Sequence, residues 1–173
     1  MAVAPVLAKP RPVERVYLTR EAAVREALGP AREMMLRIPT EARRRAEKRL
    51  RRRLPAGEVT VAVSPSGYAV VVEEIGQEKP MTFLVAADRD LRVTAVRLLV
   101  YREPYGEQAG EPRFTRQFLG KGTTDRLEIH RDIDAVSGAT FSSAGITQGV
   151  KRALVVLDER FGAGRTMYVR TSA

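Results

Sequence analysis

From residue 59 the chain alternates. Val59, Val61 and Val63 are interleaved with Thr60 and Ala62, the pattern of a half-buried strand. Ser64, Pro65, Ser66 and Gly67 then signal a turn, residues 68–75 form a β-rich run, and residues 76–80 break it. Residues 81–87 and 91–101 read as third and fourth strands around a tight Asp88-Arg89-Asp90 loop. Strands joined this closely, with no helix between them, predict an antiparallel meander. Later the period changes: Ile146, Val150, Ala153, Leu154 and Leu157 fall at helical spacing and mark an amphipathic helix running to Arg160. Laid over one face of the meander, that helix gives an α+β two-layer domain. The tail 165–170, with Met167, Tyr168 and Val169, reads as a further edge strand.

Ahead of the sheet, residues 1–13 are proline-rich and predict an extended or disordered arm. Thr19 can cap a short helix through Ala22, Val24, Ala27 and Leu28, stopped by Gly29-Pro30. Residues 34–38 are apolar but fit neither period. Pro39-Thr40 opens a second helix, residues 41–54, with Thr40 as its N-cap. Its apolar residues Ala42, Ala46, Leu50 and Leu54 repeat at a strict step of four, while arginines and lysines crowd the rest. This predicts a surface helix with one thin buried edge. The alternative is docking to an acidic partner, anionic lipid or nucleic acid; with no aromatic residue in the run, a single-strand stacking platform is disfavoured. The chain thus divides into an arm (1–18), a helical segment packed on the domain (19–54) and the α+β domain (55–173).

Composition narrows the chemistry. A length of 173 residues suits one domain with a real core. The absence of cysteine excludes disulfides, thiolate-held metals and iron–sulfur clusters, so redox work would need an organic cofactor. The single histidine, His130, lies among charged residues and reads as surface; no metal site is expected. The net charge of +9 is as compatible with genome composition or a hot habitat as with an anionic partner, and nucleic acid is not expected. No stretch approaches the ~20 apolar residues of a membrane span. The first twelve residues lack a basic leader, and Pro5 interrupts their apolar run, so no export signal is visible. No nucleophile–base pair or acid–base dyad stands out, so no catalytic residue is assigned.

The candidate chemistry lies in residues 134–143, DAVSGATFSS. Ser137, Gly138, Ala139 and Thr140 lead into the long helix, with Ser142 and Ser143 as expected N-caps and Thr140 just outside the helix. Unpaired amides and the helix dipole favour an anion there, above all a phosphate. Gly138 and Ala139 remove bulk, and the Thr140 hydroxyl could contact the phosphate or be esterified by it. On spacing alone a small-residue loop capping a helix is the plainer reading.

SGAT, preceded by Asp134 and followed by serine, resembles the flavinylation motif of the FMN-binding domain family. That family includes the small FMN-carrying subunits of the Rnf and sodium-pumping NADH:quinone oxidoreductase complexes, and the N-terminal region of the nitrous-oxide reductase regulator. The stretches YREPYG (101–106), RFTRQFLGK (113–121) and DID (132–134) resemble its single-domain members, and the likeness covers residues 58–160. The resemblance implies an electron-transfer flavoprotein, with FMN joined to Thr140 by a phosphoester that a flavin transferase installs. It implies a motif formed by Asp134, Ser137, Gly138 and Ala139, and a phosphate held by amides near residues 142–144. The isoalloxazine is expected against the glycine-rich loop with Glu103, Tyr105 and Gly106. Phe114 and Phe118 could face the ring or plug the core, and Lys121 could neutralise charge or simply be solvated. The implied partners are the transferase and a redox protein or membrane electron-transfer complex, on the extracytoplasmic face of the membrane or in the periplasm; the missing export signal leaves the cytoplasm open. The alternative is a noncovalent FMN sensor or docking module that uses the basic helix 41–54.

Overall fold

The computed structural model describes residues 14–162. In chain order the elements are β1 (Arg15–Val16), α1 (Arg20–Leu28), β2 (Arg32–Leu36), α2 (Thr40–Leu50), β3 (Val59–Ser64), β4 (Gly67–Ile75), β5 (Pro80–Asp88) and β6 (Val93–Tyr101). The one-turn helix α3 (Pro112–Thr115) follows between two 3-10 turns, and α4 (Thr140–Phe161) closes the described chain. The six strands form one antiparallel sheet in the order β1-β6-β5-β4-β3-β2. The expected meander is β3 to β6, and the α+β class holds. The undecided stretch at 34–38 resolves in part into β2, which lines the outer edge of β3 from Leu36↔Val59 to Arg32↔Val63. The arm 1–13 and the edge strand expected at 165–170 lie outside the described residues.

One face of the sheet carries Val61, Val70, Val72, Phe83, Val85 and Val96, packed against the apolar stripe of α4. Every residue of that stripe, Ile146, Val150, Ala153, Leu154 and Leu157, is at most 1% exposed. Two helix glycines allow the close approach: a Cβ on Gly149 would stand 2.3 Å from Phe83 Cζ, and one on Gly145 2.8 Å from the Ile75 oxygen. The opposite face departs from the two-layer expectation. There Ala62, Ala69, Ala86 and Ala95 make a shallow bed on which Ala23, Val24 and Leu28 of α1 rest. The central strands are therefore buried on both sides, which is why their apolar runs alternate imperfectly. Thr19 caps α1 as expected, its hydroxyl accepting from the Ala22 amide at 3.2 Å.

The second helix differs at both ends from its sequence reading. Thr40 is its first residue and Pro39 the N-cap, without a side-chain hydrogen bond. It stops at Leu50, because Arg51 adopts the left-handed conformation (φ 53°) and turns the chain back. Leu54 can then bury beside Ala46, Val155 and Val156. Much of the basic face is spent on the domain itself: Arg45 reaches Glu159 at 2.9 Å, Arg49 reaches Asp158 at 2.6 Å, and Arg52 reaches Glu74 at 3.0 Å. Among the described residues no helix is long and apolar enough to cross a membrane.

Candidate functional site

Thr140 opens α4. Gly138, at φ 78°, reverses the chain, and the Ala139 amide closes a turn onto the Val136 oxygen at 2.9 Å. The helix consequently starts earlier than its serines suggest, with Ala139 as N-cap and no side-chain cap. Ser142 and Ser143 are not caps. Both are buried in the first turn, where Ser143 Oγ accepts from the Val136 amide at 3.1 Å and Ser142 Oγ lies 2.7 Å from the Tyr101 hydroxyl. The first intrahelical bond is Ser143 N to Ala139 O, 2.8 Å, so the open amides belong to Thr140, Phe141 and Ser142, not to residues 142–144. Thr140 is exposed, and its hydroxyl has no hydrogen-bond partner among the described residues. Ser137 and Gly138 are exposed beside it, and a Cβ on Gly138 would meet nothing within 4 Å.

The segment after β6 locks onto this helix start. The Tyr101 hydroxyl, buried, donates to the Tyr105 carbonyl at 2.5 Å and so accepts from Ser142. Burial raises the phenol above its ordinary value while the Ser142 hydrogen bond works the other way, so at neutral pH it remains a protonated donor. Gly106 closes the contact. At φ 96° it faces both oxygens, and a Cβ there would lie 2.8 Å from Ser142 Oγ and 2.8 Å from the Tyr101 hydroxyl. A Gly106→Ala substitution is expected to cost about 2–3 kcal/mol through backbone strain and a damaged buried network. Chemical denaturation measures it, and a variant as stable as the parent would remove Gly106 from the lock.

Other expected site residues are committed elsewhere. Glu103, 4% exposed, accepts through Oε1 from the Glu78 amide at 2.6 Å and the Lys79 amide at 2.8 Å, bracing the β4–β5 turn. Lys121 pairs with Asp132 at 3.2 Å instead of reaching the motif. Phe114 and Phe118 plug the core edge-on to each other, with centroids 5.4 Å apart. The glycines do not form one surface: Gly106 meets the motif, Gly110 packs on Leu98, and Gly122 sits by Leu91 and Arg92. Tyr105 is 84% exposed, and Phe141, next to Thr140, is 61% exposed. Asp134 is positioned by Gln117, which sequence reasoning missed. The Asp134 amide donates to Gln117 Oε1 at 2.8 Å, and Gln117 Nε2 donates to the Asp134 oxygen at 3.0 Å. Among the described residues no cluster of His, Asp or Glu could hold a metal.

Asp132 anchors the run into the motif, accepting from the Leu127 amide at 3.1 Å and the Glu128 amide at 2.9 Å. Burial pushes its carboxyl up, but those two amides and Lys121 outweigh it and hold the carboxyl below its usual range. A depressed folded-state value contributes stability above the ordinary carboxylate pKa and loses it as pH falls through the folded value. Asp132→Asn is therefore expected to melt below the parent at neutral pH, the gap closing under acid conditions. A gap independent of pH would contradict this.

The phosphate end of a flavin nucleotide fits what is present: an exposed hydroxyl, three open amides and clearance above Gly138. No curated protein matches the chain. Residues 76–155 match the family model of the FMN-binding domain, from the β4–β5 turn through the Tyr101–Gly106 lock and the motif into α4. That match identifies residues 76–155 as an FMN-binding domain, which supports FMN as the cofactor.

Proposed function

We propose that the protein is an electron carrier whose FMN is esterified through its phosphate to the Thr140 hydroxyl by a flavin transferase. The observation carrying this is that hydroxyl: exposed, without a partner among the described residues, and at the first position of a helix of 22 residues. The amides of residues 140–142 and the dipole behind them would hold the single negative charge left on the diester. When bound, FMN supplies one- and two-electron transfer; the chain supplies position and electrostatics. Thr140 on open surface suits exchange with a partner protein better than turnover of an enclosed small substrate. The partner would be a redox protein or a membrane electron-transfer complex, and the extracytoplasmic face is where a tether that prevents cofactor loss is most useful. The noncovalent docking alternative has less support, because Arg45, Arg49 and Arg52 of the basic segment are engaged within the molecule.

The test is co-production with an active flavin transferase, followed by intact mass and visible spectrum after denaturation. The expected result is a gain of one FMN less one water, with the colour retained. Flavin that washes out on denaturation, from cells whose transferase labels a known acceptor, would overturn the covalent reading.

A further inference from the structure

Ala42 and Ala46 are the buried residues of α2. Positions two further along an α-helix lie about 200° round its axis, so Arg44 and Lys48 stand on the face turned away from the domain. The inward side of the segment is tied down. Arg43 donates to the Leu54 and Pro55 carbonyls at 3.1 Å each, and Glu47 accepts from the Leu54 amide at 3.0 Å. Arg45, Arg49 and Arg52 hold Glu159, Asp158 and Glu74. Those pairs fix the helix and leave a cationic remainder. Arg37, Lys48, Arg51 and Arg53 are exposed, and no hydrogen bond or ion pair engages their side chains among the described residues. The acids on this side are fewer: Glu41 is neutralised by Arg44 at 3.2 Å, and Glu58 lines a hollow with Arg37 and Arg53.

This remainder lies near the start of α4. Arg52 donates to Gln148 Oε1 at 2.8 Å, and Gln148 is about 12 Å along α4 from Thr140. Residues 37–53 precede the stretch that matches the family, 76–155. None of the exposed large hydrophobic residues falls between 37 and 53, so the face carries charge without an apolar side chain to insert into a bilayer. Arginine predominates among the free cations, and its planar fork matches a carboxylate in two places at once.

We infer that the outward face of α2 and its C-terminal turn is a docking surface for an acidic face of the protein that exchanges electrons with the flavin. The inference rests on the carrier reading proposed above and names the chemistry of its partner. Fixed positive charge beside the cofactor end raises the rate of encounter with an anionic protein and turns it the right way round. The basic segment then has two tasks: its inner arginines lock it to the domain, and its outer cations meet the partner.

The probe is a reduced acidic [2Fe–2S] ferredoxin, which gives the flavin one electron per molecule and is itself oxidised. Lys48→Glu with Arg51→Asp reverses two of the free charges, aspartate being tolerated in the left-handed backbone at 51. The control, Arg25→Glu with Arg32→Glu, reaches the same net charge from exposed positions on α1 and β2. On holoprotein whose intact mass shows one flavin per chain, the second-order rate at low salt is expected to fall about tenfold in the first variant and no more than about twofold in the control. High salt should slow the parent and bring all three proteins together. Reduction by photoreduced deazaflavin, a small neutral donor, should be the same in all three. Calorimetry of the flavin-free chain with oxidised ferredoxin gives a second readout: the first variant should bind about tenfold more weakly than the parent, the control nearly as well. A failed tether therefore shows in the mass and leaves the binding result standing. Equal losses in both variants, or no loss in either, would overturn the docking surface. So would a parent chain that binds phosphatidylserine vesicles in preference to ferredoxin and loses that binding in the first variant.

Discussion

A Thr140→Ala variant made alongside an active flavin transferase is expected to fold like the parent and carry no covalent flavin. The two halves of that expectation have separate causes. Thr140 is exposed, and its hydroxyl bonds to nothing among the described residues, so its loss should cost less than about 0.5 kcal/mol. The melting temperature should then move by no more than about 2 °C. Incorporation, in contrast, should fall from one flavin per chain to none, because the nearby alcohols are poor substitutes. Ser142 and Thr147 are 3% and 2% exposed, and their oxygens are held by Tyr101 and by the Ser143 carbonyl. Ser137 is exposed but precedes the turn at Gly138, away from the open amides. Thr140→Ser keeps the alcohol and should restore labelling. Intact mass reads all three proteins; full labelling of the alanine variant would place the ester on another residue and remove the basis for the carrier reading.

The fold was legible where a pattern is local. Alternation at Val59, Val61 and Val63 gave β3, and the stripe from Ile146 to Leu157 gave the buried face of α4. What was missed depends on residues far apart in sequence. Alanines at 62, 69, 86 and 95 look like weak strand formers until α1 is laid over them. Met34 and Leu36 reveal β2 only when β3 is beside them to take the hydrogen bonds. The start of α4 was misread because two serines advertise a cap, while the turn at Gly138 and Ala139 starts the helix first and puts those serines to use as internal ties. The site divides in the same way. SGAT is contiguous and could be read, but the tasks of Glu103, Lys121 and Gln117 are fixed by partners eleven or more residues away.

The largest stability effect is expected at Glu74. Pairing between β3 and β4 ends at Val61↔Val70, although β4 continues to Ile75, so the Glu73 carbonyl lies beyond the register with β3. Arg152 of α4 takes that oxygen through Nη2 at 2.6 Å. Its charge, 9% side-chain exposed, is balanced by Glu74, whose Oε1 stands 2.9 Å from Nη1 at an angle that falls short of a hydrogen bond. Burial lowers the pKa of this guanidinium and Glu74 raises it again, so the carboxylate keeps an otherwise costly cation in place. Arg52 completes the cluster from the end of α2. Glu74→Ala strands Arg152 in the interior and should cost about 3–5 kcal/mol, a large part of the roughly 5–15 kcal/mol that holds a domain folded. Melting should fall by about 10 °C. Replacing both partners, Glu74→Leu with Arg152→Met, should recover part of the loss, because the stranded charge is gone although the Glu73 carbonyl still loses its donor. Denaturation curves for the single and double variants decide it: a single variant within 1 kcal/mol of the parent, or a double no better than the single, would show that the buried pair does not hold α2, β4 and α4 together.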